Sequence, residues 1–130
     1  MPDRETASAL LAAANRDFAA MHNMLETDKF AVEVFGFHAQ QAAEKSLKAW
    51  LSLRGVAYAK THNLRTLLVL LEQTGADVAD LWNLVTLTAF AVQFRYDAYD
   101  FSSETLDRDG ITALVRGLIE RVKRILDAAS

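Results

Sequence analysis

The chain has 130 residues, 52% of them hydrophobic and 24% charged, a globular balance that excludes a disordered polymer and suffices for one sizeable core. A net charge of −3 weighs against a protein built mainly to coat nucleic acid, and the absence of Cys excludes disulfides, thiolate metal sites and a Cys nucleophile. One Pro and five Gly leave few breaks for hairpins, so the composition predicts an all-α chain forming a single domain over residues 1–130.

Residues 4–25 predict the first helix, with Leu10, Leu11, Ala14, Phe18, Met21 and Leu25 at spacings of three and four and Asp3 or Thr6 as cap. A polar break at Glu26–Lys29 follows. The second helix is expected from Thr27 or Asp28 to Arg54, with Gly55 in the left-handed position that ends it. After a connection, Thr61 or Asn63 caps a short helix carrying Leu64, Leu67, Leu68, Leu70 and Leu71, which stops before Gly75. Asp77 or Asp80 then starts a fourth helix through Leu81, Leu84, Val85, Leu87, Phe90, Ala91 and Phe94. Residues 95–104 break the pattern with aromatic and acidic side chains. The last helix has the clearest stripe: Ile111, Leu114, Val115, Leu118, Ile119, Val122, Ile125 and Leu126. These elements predict an up-and-down helical bundle of four long helices and one short one.

The second helix organises the rest. At about 100° per residue, Ala39, Ala43, Leu47, Trp50 and Leu51 fall on one side, and His38, Gln41, Lys45, Lys48 and Ser52 on the other. The first stripe needs a core, whereas the second is a row of hydrogen-bonding and cationic groups. Residues 38–65 hold five basic residues against one acid, a net of +4, so the remainder carries −7. The positive part of an acidic chain therefore centres on this helix.

Several chemistries find no residues to carry them. The five glycines, at 36, 55, 75, 110 and 117, do not form a phosphate-cradling loop. His22, His38 and His62 lack zinc-ligand spacing, and Glu33 and Glu44 are not followed by the His of a di-iron bundle. Asp107-Arg-Asp-Gly110 fails as a calcium loop, since Thr105 and Arg116 would occupy its first and last ligand positions; its acids suit the first turn of the last helix instead. No metal site and no cofactor is expected. With no apolar run of signal-peptide or membrane-spanning length, a cytoplasmic protein without a membrane partner is expected.

Phe37-His-Ala-Gln-Gln-Ala-Ala-Glu-Lys-Ser-Leu-Lys-Ala-Trp-Leu51, then Gly55, then Thr61-His-Asn-Leu64 and Leu67, resemble the HEPN domain of prokaryotes and higher eukaryotes. The resemblance runs from the second helix to the last. It implies a helical bundle that pairs into a homodimer. It also implies a minimal nucleotidyltransferase as partner, in a prokaryotic toxin–antitoxin-like pair. Many members are metal-independent ribonucleases in which an Arg is followed, after four to six intervening residues, by a His. Arg95 stands where that motif begins, but positions 100, 101 and 102 are Asp, Phe and Ser, and no His occurs after His62. Without that imidazole the usual acid/base partner is missing. The resemblance then implies the non-nuclease branch: no catalytic residue, and a nucleotide- or RNA-phosphate-binding role.

On this reading Lys45, Lys48 and Arg95 engage phosphate, His38, Gln41 and His62 orient it, and Tyr96 beside Arg95 offers a ring for a base to stack on. Two alternatives remain open: a ribonuclease with a divergent site in which His38 or His62 replaces the missing histidine, or a purely structural interaction module. For each residue a bland role competes: a solvated cationic face for Lys45 and Lys48, a helix-surface hydrogen bond for His38, a loop tie for His62, an ion pair with Asp97 or Asp100 for Arg95. Trp50 and Trp82 are assigned to packing.

Overall fold

The computed structural model describes residues 1–26, 29–91 and 106–129. Helix α1 is Arg4–His22, α2 Val32–Leu53, α3 Leu64–Gln73, and α4 Arg108–Ala128; a 3₁₀ helix, Ala79–Leu87, lies between α3 and α4. The described chain is all helical, as composition predicts. Helix α2 is its axis: α1, α3, the 3₁₀ helix and α4 all pack against it.

Local chemistry sets most boundaries. Asp3 caps α1, its carboxylate accepting from the Thr6 amide at 3.0 Å and the Thr6 hydroxyl at 2.7 Å. The Asp3 amide donates to the Ser52 carbonyl at 2.8 Å, which pins the start of α1 to the end of α2. Gly55 and Gly75, at φ of 70° and 92°, end α2 and α3 in the same way. In each, the glycine amide and the next amide reach back to carbonyls of the last turn: Gly55 to Ser52 and Val56 to Leu51, Gly75 to Glu72 and Ala76 to Leu71. Asn63 caps α3 and Asp107 caps α4, each by accepting a backbone amide at 3.0 Å.

Helix α2 begins later than expected. The sequence offers Thr27 or Asp28 as a start, and both lie outside the described residues. The helix begins at Val32, with Ala31 at the cap position and no capping side chain. A turn precedes it, the Lys29 and Phe30 amides both donating to the Glu26 carbonyl. Arg108 holds this connection from the far side. Its guanidinium donates to the carbonyls of Met24 and Phe30 at 2.8 Å each and lies 5.2 Å from the centroid of the Phe35 ring. The Phe30 carbonyl, which in a helix begun at Thr27 or Asp28 would accept from the Val34 amide, accepts from Arg108 instead, and the Val34 amide donates to Ala31.

The fourth element also differs. In place of an α-helix from Asp77 or Asp80, residues 79–87 form a 3₁₀ helix, with α-helical geometry only at 88–91; the expected continuation to Phe94 lies outside the described residues. Val78, Leu81, Leu84, Leu87 and Phe90 are all buried, an exact period of three. A 3₁₀ helix has three residues per turn and so keeps Leu81, Leu84 and Leu87 on one face, with Val78 at its cap and Phe90 in the α-helical turn that follows; an α-helix would rotate Leu87 away from the core. Nine residues is a long run for this geometry, and burial of that stripe is what sustains it.

The polar side of α2 is not a solvated back. Gln40, Glu44, Ser46 and Ser52 are buried alongside its apolar stripe. At Gly36 a Cβ would overlap the ring of Phe90, so the missing side chain is what lets residues 88–91 close on α2.

Candidate functional site

Two carboxylates organise the polar arc of α2. Asp17, from α1, accepts Nδ1 of His38 on Oδ1 at 3.0 Å and Nζ of Lys45 on Oδ2 at 2.6 Å. These two residues are seven apart on α2, hence two turns on the same face, and one carboxylate on the neighbouring helix spans both. Asp17 was not anticipated: in the sequence it is one polar residue of α1 between Arg16 and Phe18, with nothing to say what it faces.

Glu44 is the centre of the second cluster. Its Oε2 accepts from Lys48 Nζ at 2.9 Å, and its Oε1 accepts from Gln40 Nε2 and pairs with His62 Nδ1, also at 2.9 Å each. Lys48 stands four residues on, the spacing at which a glutamate meets a lysine on a helix. His62 arrives from the connection before α3, and the Gln40 amide fixes it a second time by donating to its backbone carbonyl at 3.0 Å. The Gln41 side-chain amide donates to Oε1 of Gln40 at 2.7 Å, so Gln41 extends this cluster along the arc towards Lys45. Lys48 also lies 5.8 Å from the centroid of the Tyr58 ring.

Burial pushes the Glu44 carboxyl up, but the hydrogen bonds from Gln40, Lys48 and His62 together prevail and hold it below the usual glutamate range. Glu44 is thus an ionised group with only 6% of its side chain exposed. His62 is the most open member, 44% exposed, against 27% for His38. With its imidazoles neutral the arc is balanced, Asp17 and Glu44 against Lys45 and Lys48. The positive bias read along the sequence is offset here by an acid from α1.

Five of the seven residues singled out in the sequence, His38, Gln41, Lys45, Lys48 and His62, therefore meet around α2. Arg95 and Tyr96 lie outside the described residues, as do Asp97 and Asp100. Trp50 is buried in the core, with Arg121 over its ring at 5.7 Å from the centroid. Trp82 is half-buried and donates from Nε1 to Glu72 at 3.3 Å. Among the described residues no cluster of His, Asp or Glu has the makings of a metal site, and no helix is long and apolar enough to cross a membrane.

The family model of the HEPN domain matches residues 7–129, nearly the whole chain. The chain belongs to the HEPN family. The match spans α1, which the sequence resemblance left out, and α1 is the helix that supplies Asp17 to the arc. HEPN membership supports a nucleotide- or RNA-related role in general terms. No curated protein and no solved structure matches the chain significantly.

Proposed function

We propose that this HEPN protein binds a nucleotide or an RNA phosphate without cleaving it, as a homodimer, alongside a minimal nucleotidyltransferase in a toxin–antitoxin-like pair. The observation that carries the reading is the convergence of Lys45, Lys48, His38, His62 and Gln41 on one arc of α2. Such an arc sets two ammonium groups, two imidazoles and a carboxamide along one side of α2. Asp17 and Glu44 hold the cations in fixed positions, which lowers the entropy lost when a ligand arrives. Arg95 adds a bidentate phosphate donor in this scheme.

The test is titration of ATP and of a short RNA at low and moderate salt, with Lys45→Ala, Lys48→Ala and Arg95→Ala alongside the native protein. Phosphate contact predicts weaker binding in each variant and a shallower dependence on salt. Absence of binding to either ligand, with sizing of the protein co-expressed with its neighbouring gene product still showing a complex, would leave the structural interaction module.

One observation favours a second reading, a divergent ribonuclease. His38 and His62 each have Nδ1 on a carboxylate, the arrangement that orients an imidazole for acid/base work. RNA cleavage by pure protein that persists with chelator and is lost in His38→Ala or His62→Ala would support it over simple binding.

A further inference from the structure

The hydrogen-bond pattern around His38 and His62 constrains how the α2 arc takes up an anion. A carboxylate is an acceptor only. Asp17 and Glu44 therefore require a hydrogen on the Nδ1 atoms they face, at 3.0 and 2.9 Å. A neutral imidazole carries one ring hydrogen. With it on Nδ1, Nε2 of each ring is a lone-pair acceptor, and among the described residues neither Nε2 has a hydrogen-bond partner. The oxygens of a phosphate are acceptors too. In the neutral state both histidines offer a phosphate the wrong polarity.

The charges on the arc lead the same way. His38 is faced by Asp17 of α1, by Lys45 of its own helix, and by the ring of Phe37 edge-on at 5.3 Å. His62 is faced by Glu44 of α2, which also holds Lys48. Each acid is already matched by one lysine, so the arc reaches a net positive charge only when its imidazoles gain protons. Protonation adds a donor at Nε2 and leaves the Nδ1 bond in place, now between opposite charges.

We infer that phosphate binding at this arc is coupled to proton uptake on Nε2 of His38 and His62, with a phosphodiester as the ligand group. The inference rests on the phosphate-binding reading above and adds its regulation: the arc is a weak site when both rings are neutral and a strong one when they are charged. By linkage, bound phosphate strengthens proton binding to the rings as much as the protons strengthen phosphate binding. Affinity then rises as pH falls.

The experiment uses the full chain and a short oligoribonucleotide without terminal phosphates, whose diesters do not titrate between about pH 6 and 8. Binding is measured calorimetrically at several pH values in that range, in buffers of different ionisation enthalpy. The expected result is affinity that increases as pH falls, by up to about tenfold per pH unit for each proton taken up, with a buffer-dependent heat corresponding to one to two protons. His38→Gln and His62→Gln each reduce the uptake, and the double variant abolishes it. His22→Gln keeps it, since His22 stacks on Phe18 and is not part of the arc. Ring-proton resonances of His38 and His62 in the native protein shift towards the charged form on adding RNA, a readout that needs no variant to fold. Equal affinity at pH 6 and pH 8 with no buffer dependence overturns the inference and leaves phosphate binding standing. Uptake that survives the double variant also overturns it. No binding at any pH overturns the phosphate-binding reading itself, and the inference with it.

Discussion

Replacing Glu44 by Ala removes the acceptor shared by Gln40, Lys48 and His62. The ammonium of Lys48, whose side chain is only 14% exposed, is then left beside α2 without its counter-charge. Removing one partner of a buried ion pair costs about 3–5 kcal/mol, and Lys48 can recover part of this by reaching water. The expected loss is therefore about 3 kcal/mol, or roughly 10 °C in Tm for a chain of this size. Glu44→Gln keeps the shape and one acceptor oxygen but loses the charge-assisted bonds, for a smaller loss of about 1.5–2 kcal/mol. The comparison also has a pH signature. The Glu44 carboxyl is held below its ordinary range, so it contributes stability at neutral pH that is lost as pH falls through and below that range. Urea unfolding from pH 7 down to pH 3 reads both effects. The native protein loses more stability on acidification than either variant, and the gap between them narrows at the acid end. A Glu44→Ala protein within about 0.5 kcal/mol of native at pH 7, or one with the same acid profile, would refute the account of Glu44 as the ionised centre of the cluster.

Asp17→Asn weakens the tie between α1 and α2 by about 1–2 kcal/mol, and a double-mutant cycle with Lys45→Met returns a coupling well above that of an exposed surface pair. Gly36→Ala forces a methyl group into the Phe90 ring and costs about 1–3 kcal/mol by thermal melt; Gly117→Ala, where a Cβ meets nothing within 4 Å, is neutral or stabilising by up to about 1 kcal/mol. Gly75→Ala, at a φ of 92°, costs about 1–2 kcal/mol. Arg108→Lys retains the charge but cannot fork to both the Met24 and Phe30 carbonyls; it loses about 2 kcal/mol and speeds amide exchange in the connection between α1 and α2.

The amino-acid sequence by itself determines every element governed by nearest neighbours along the chain. Asp3, Asn63 and Asp107 cap their helices, Gly55 and Gly75 end theirs, and the heptad-like stripe of α4 faces the core. Each is a contact within about one helical turn. The family signature around Gln40, Gln41 and Glu44 is of the same kind. The exact threefold spacing of Val78, Leu81, Leu84, Leu87 and Phe90 was also present, but it is compatible with an irregular α-helical stripe until a surface exists for all five residues to meet. The tertiary structure decided the rest. It set the start of α2, because a guanidinium 76 positions beyond Val32 binds the carbonyls before it. It likewise decided the state of the polar arc. Along the sequence Lys45 and Lys48 are a cationic row; in the fold Lys48 is matched by Glu44, a pair the spacing of four already allows, and Lys45 by Asp17, from a helix whose register nothing local specifies. Electrostatic pairing across helices depends on which faces pack together, and only burial of the apolar faces settles that.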